Sequence, residues 1–150
     1  MARSFNLPLN ELMQVFDHAI NTGYTRAWGS DVSEKGFTRD GLATVPDVEY
    51  METSGSDQER WVGLSRTERD AEIKKLASKP CKEMEITQTM RQEGYDNYQT
   101  TDDHGMLIYG IAKDQNGKKF YMVKNSWGTN NTYNGTWYAS EAFVAYKTMN

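Results

Sequence analysis

Cysteine is almost missing from this chain. Of its 150 residues only Cys81 carries a thiol. That excludes an intrachain disulfide, and nothing in the cysteine usage marks an oxidising compartment. Long apolar runs are missing too, since no stretch approaches the ~20 residues that cross a bilayer. The first ten residues, MARSFNLPLN, lack an apolar core ahead of a cleavage site, so no secretory signal is expected and the expected location is cytoplasmic. No charge of one sign dominates. The 17 basic and 21 acidic residues are interspersed and leave a net charge of −4. With no basic stripe to follow a phosphate backbone, neither nucleic acid nor a membrane surface is an expected partner.

What remains is a modest apolar fraction. Aliphatic and aromatic residues make up 37% of the chain, and 12 glycines bring it near the composition of globular proteins. The length suits one domain with one modest core, here taken as residues 1–150. No internal repeat or low-complexity segment is present.

Residues 8–22 form the clearest helical pattern. Leu9, Leu12, Met13, Phe16, Ala19 and Ile20 fall on one stripe, with Pro8 in the first turn and Gly23 at the far end. His18 lies opposite that stripe and is expected to face solvent. Tyr24 to Trp28 reads as a strand, followed by the turn-rich GSDVSEKGF. There Asp31 and Glu34 fit Asx-type turn chemistry better than metal ligation. Residues 38–48 are short and mixed, broken by Gly41 and Pro46. A polar region of about 53–100 reads as a helical insertion. In it, residues 65–77 carry a capping-box spacing, Ser65 to Glu68, and 86–94 form a second short helix beginning near Thr87. RTERDAEIKK reads as a solvated helix face. Met84 and Met90 read as filler of a core or pocket.

Beyond Thr101 the period changes. HGMLIYGIAKD (104–114) and KFYMVKNSW (119–127) are apolar, aromatic-rich runs separated by a segment containing Asn116-Gly117, a strong hairpin signal. GTWYAS (135–140) is a third strand, and EAFVAYK a short helical turn. Counting back from the hairpin turn puts His104 and Asn125 near the same end. A carboxamide oxygen accepting from one imidazole nitrogen sets the tautomer and aims the other nitrogen outward. Trp127 beside that bond would keep water off it. A nucleophile–His–Asn triad needs this arrangement. Asp102 and Asp103 invite a metal reading with His104. Neighbours on a strand point to opposite faces, however, so a solvated acidic pair is the expectation.

The segment from His104 through NSWG to WYAS resembles the His/Asn half of a papain-like cysteine peptidase. More narrowly, YTRAWGSDVSEKGF, the charged insertion, MRQEGYDNYQTTDDHGM and WYASEAFVAYKTMN resemble the bleomycin hydrolase/aminopeptidase C branch. The resemblance implies an α+β fold, namely the antiparallel, barrel-like half of that fold with an N-terminal helix and a helical insertion. It implies His104 as general base, Asn125 as its orienting partner, Trp127 as a shield, and Gly105 and Met106 near a substrate pocket. It implies peptide substrates cut from the amino end, and no metal or organic cofactor.

One element of the pattern is displaced. Papain-type sequences set the cysteine ~130–150 residues before the His and Asn, and here 103 residues precede His104. The nucleophile is therefore expected on a missing N-terminal half, and this chain alone is expected to be inactive. Cys81, in SKPCKEMEI, lacks a helix N-terminus to lower its pKa and is not expected to replace it. Two alternatives stay open. One is a non-catalytic binding or regulatory module, and the other is a subunit completing an active site with a separate chain. Either way, apolar surface near His104 and Trp127 is expected to be uncovered and to drive self-association.

Overall fold

A computed structural model describes residues 5–48, 61 and 63–150. Part of the expected insertion, residues 53–60 and 62, lies outside them. Helix α1 is Leu9–Asn21, strand β1 Arg26–Ser30 and strand β2 Leu42–Ala43. Helices α2 (Arg66–Ala77) and α3 (Gln88–Asp96) follow. Strands β3 (His104–Lys113), β4 (Lys119–Lys124) and β5 (Thr136–Ser140) lead into helix α4 (Glu141–Lys147). The fold is α+β, as expected.

Local chemistry accounts for the element ends. α1 closes as the Thr22 cap and Gly23 turn back, with Gly23 N–H donating to Ile20 O and Tyr24 N–H to Ala19 O. α2 begins with the full capping box, in which the Ser65 hydroxyl accepts from Glu68 N–H and the Glu68 carboxylate accepts from Ser65 N–H. At α3 the Thr87 hydroxyl accepts from Met90 N–H, and at α4 the Ser140 hydroxyl accepts from Phe143 N–H. The first strand starts two residues later than its sequence pattern suggests, because Tyr24 and Thr25 complete the exit from α1.

The strands form one five-stranded sheet in the order β1-β3-β4-β5-β2. Four of the five are antiparallel neighbours, but β2 runs parallel to β5. The sheet is thus mixed and not wholly antiparallel as expected. The two-residue β2 gives no periodic signal from which its direction could be read. α1 and α4 cover one face of the sheet. Phe16 meets Tyr121 at 6.1 Å between ring centroids, and Phe143 meets Trp28 edge-on at 6.4 Å. Trp28, Ile108, Tyr121, Val123, Trp137, Ala139, Phe143 and Val144 form the buried centre.

The β3–β4 hairpin turns differently from the two-residue loop that Asn-Gly suggests. Gly117 N–H donates to Asp114 O, and Gly117 alone of the loop takes a positive φ, 80°. This is a tight turn followed by one left-handed residue, as in three-residue hairpins. The Asp114 carboxylate accepts from Asn116 N–H and Lys118 N–H and braces it.

Candidate active site at the open end of the hairpin

A β-bulge decides what this end of the hairpin can present. Near the turn, Ile111 pairs with Tyr121 and Lys113 with Lys119. Beyond the irregularity between Ile108 and Gly110, Ile108 pairs with Val123 and Leu107 with Lys124. The register slips by one residue at Tyr109. Side chains alternate along a strand, so without the slip Gly105, Leu107 and Tyr109 would share the core face with Ile111. With it, His104, Met106 and Ile108 take that face, and Met106 and Ile108 are buried while Gly105 and Tyr109 are exposed. On β4, Tyr121 and Val123 face the core, and Asn125 follows at the same spacing. The bulge therefore brings His104 and Asn125 to one side of the sheet.

There the two side chains meet. His104 Nε2 lies 2.7 Å from Asn125 Oδ1. The same oxygen accepts the backbone N–H of Ser126 at 2.7 Å. A peptide N–H only donates, so the atom facing it is the carboxamide oxygen and not its nitrogen. His104 must then donate from Nε2, which leaves Nδ1 of the neutral ring bare, as a base. Asn125 is buried, and its Nδ2 finds no acceptor among the described residues.

Trp127 stacks on the imidazole, with ring centroids 5.1 Å apart and planes 29° from parallel. Phe37 and Trp137 hold the indole edge-on at 5.6 and 5.8 Å. Trp127 is 47% exposed, so it covers one side of the imidazole while staying in part open to solvent itself. Met106 shares the His104 face but lies in the core at 7% exposure, beneath the site. Gly105 is exposed on the opposite face of β3.

Asp102 and Asp103 are both exposed, as expected of a solvated pair, and each also accepts a hydrogen bond from the protein. Asp103 accepts the N–H of Val32, and Asp102 accepts from the Asn150 side chain. No group of three metal-ligating side chains forms among the described residues. Asp31 does make its turn, accepting from Ser33 N–H and Oγ–H, and it also reaches the N–H of Thr101 at 3.0 Å. Glu34 pairs with Lys147 at 2.5 Å. Lys147, at 3% exposure, went unnoticed in the sequence, because a lysine near a helix end reads as solvated. Phe37 and Trp137 were missed for another reason: long-range packing carries no local signal.

Cys81 sits elsewhere. Lys118 Nζ donates to its carbonyl beside the hairpin turn, at the other end of the ten-residue β3. Burial, then the Glu83 carboxylate, pushes the thiol pKa up, the wrong direction for a nucleophile.

No family model matches the chain. A stretch of 27 residues is 52% identical to Cathepsin L1 of Drosophila melanogaster, covering 18% of this chain and 7% of that protein. Cathepsin L of Sarcophaga peregrina matches over 27 residues at the same identity, 8% of its length. The structure of PepW from Lactobacillus rhamnosis HN001 superposes on 98% of this chain with a TM-score of 0.61 and 17% identity. The scaffold is that of a papain-like cysteine peptidase. This chain spans about a quarter of PepW, 26% of its length.

Proposed function

We propose that this chain supplies the imidazole and carboxamide of a cysteine-type aminopeptidase of the bleomycin hydrolase/aminopeptidase C kind, with the thiol contributed by polypeptide outside these residues. The observation that carries this reading is the His104–Asn125 hydrogen bond, whose direction the Ser126 N–H dictates. His104 Nδ1 accepts the thiol proton, and the thiolate attacks the carbonyl carbon of a peptide bond. The imidazolium then returns a proton to the departing amine as the C–N bond breaks, leaving a thioester. Water, deprotonated at the same nitrogen, releases the acid and restores the thiol. Asn125 keeps Nε2 protonated throughout, so the ring exchanges protons at Nδ1 alone. No step calls for a metal or an organic cofactor. The buried, unmatched Asn125 Nδ2 supports a site completed by further polypeptide, since a buried donor without an acceptor costs about 1–3 kcal/mol. The 150 residues form a single domain in this reading, and the exposed side of Trp127 is where the thiol-bearing segment, or a second copy of the chain, would seat.

Mixing the chain with a thiol-bearing N-terminal half of a bleomycin hydrolase-type enzyme tests the reading. Hydrolysis of amino-acid amide reporters is expected from the mixture, from neither part alone, and not after His104→Ala. A mixture that forms a complex without turnover would point to the other reading, a binding or regulatory module. The observation favouring that alternative is that Cys81, the single cysteine of the chain, has its thiol pKa pushed up by burial.

A further inference from the structure

Three chain segments converge just ahead of His104. The loop after β1 supplies Asp31, Val32 and Glu34, the segment before β3 supplies Thr100 to Asp103, and the end of α4 supplies Lys147. Asp31 is 1% exposed and spends both carboxylate oxygens on protein donors: Oδ1 on Ser33 N–H and Oγ–H, Oδ2 on Thr101 N–H. Lys147 Nζ bridges Glu34 at 2.5 Å and Thr100 Oγ1 at 3.0 Å. Asp31 N–H in turn donates to Lys147 O. These bonds fix the backbone three residues upstream of His104 from two directions. Capping and turn chemistry needs only the Ser33 bonds. The Thr101 bond spans 70 residues and serves no turn.

The geometry points to Asp31 as a positioning residue for His104. By holding Thr101 it sets where β3 begins, and hence whether the imidazole lies within 2.7 Å of Asn125 and flat against Trp127. An aspartate suits the task because four protein groups converge there, and its two oxygens can accept from three donors while its backbone N–H serves the fourth. An asparagine has one carboxamide oxygen and turns an N–H toward either Ser33 or Thr101, so it loses one set of bonds. The inference rests on the proposed role of His104, but its test does not depend on peptidase activity.

The chain holds two histidines, so nitrogen NMR of the imidazoles is simple to assign, and exposed His18 serves as an internal reference. In the unmodified chain the neutral His104 ring is expected almost wholly as the Nε2–H form, with slow exchange of that proton. Asp31→Asn is expected to speed its exchange by roughly tenfold or more, the factor that about 1.4 kcal/mol produces, and to admit the Nδ1–H form. Ser33→Ala, which keeps the Thr101 bond, should leave His104 unchanged, and His18 should not respond to either. Should Asp31→Asn fail to fold, native-state hydrogen exchange in the unmodified chain decides. The Thr101 amide and the His104 Nε2–H are expected to be exposed by the same opening. The inference is overturned if Asp31→Asn folds with an unaltered His104 tautomer and exchange rate, or if Nε2–H exchanges while Thr101 stays protected. Failure of the reconstituted peptidase with an intact NMR response would sink the proposed function and leave the positioning role standing.

Discussion

Gly36 shows how closely single positions support the site. A Cβ there would lie 1.9 Å from the backbone oxygen of Thr44, and that backbone cannot yield cheaply because Thr44 N–H donates to Gly36 O. The next residue, Phe37, holds Trp127 edge-on and stacks on Trp137. Gly36→Ala is therefore expected to cost about 3 kcal/mol or more, read from denaturant unfolding, because both the loop and the aromatic cluster must shift. Cys81 is the opposite case. Its raised pKa keeps the thiol protonated at neutral pH, so alkylation by iodoacetamide should be slower than that of a free thiol at pH 8 and should rise further with pH. Cys81→Ser should leave reconstituted peptidase turnover within about twofold, as for a group that takes no part in the chemistry. Residue types alone singled out His104, Asn125 and Trp127. They did not show that Asp31, Phe37 and Lys147 serve the same corner, because those contacts span dozens of residues.

Among the elements, the bulged β3 has the largest consequence. Tyr109 is the extra residue of the bulge, so its deletion leaves Ile108 directly before Gly110 in the register both already hold against Val123 and Met122, and His104, Met106 and Ile108 keep the core face. Retention of the His104 Nε2–H signal in NMR is the expected result. A Tyr109 deletion that separates His104 from Asn125 would contradict this account of the register. The hairpin itself was legible from alternating apolar residues around Asn116-Gly117. The bulge was not, since one extra residue in a strand leaves the composition and periodicity of a ten-residue run nearly unchanged. The helices were legible to within two residues because their ends carry their own chemistry in Ser65, Thr87 and Ser140. The direction of β2 was not, because its pairing with β5 is set by the rest of the sheet.

At the scale of the whole molecule, α1 is pinned to the sheet by a cluster with a predictable response to alkali. Tyr121 O–H donates to Asp17, and Lys119 lies 2.8 Å from both Asp17 and Glu141. Burial, then the Asp17 hydrogen bond and the charges of Asp17 and Glu141, raises the Tyr121 pKa well above its ordinary value. For Lys119 burial alone acts downward, but the bonds to Asp17 and Glu141 outweigh it and the net shift is upward. In both cases the folded chain holds a proton that the unfolded chain releases near pH 10. The stabilisation is complete below that pH and is lost as pH rises toward the folded-state values. Thermal unfolding is therefore expected to drop steeply above about pH 10, and Tyr121→Phe should flatten part of that drop. An unchanged alkaline slope in Tyr121→Phe would remove the phenol from the explanation.

The amino-acid sequence by itself determined the α+β class, the helix ends, the hairpin and the pairing of one imidazole with one carboxamide, because these depend on neighbours within a few residues or on a single turn. Tertiary structure alone decided that β2 runs parallel, that β3 carries a bulge, that the carboxamide oxygen faces both Ser126 and His104, and that a buried lysine and two aspartates brace the strand bearing the histidine. Those features arise where distant segments share limited space and each buried polar group must find a partner, and no local pattern specifies which partner that will be.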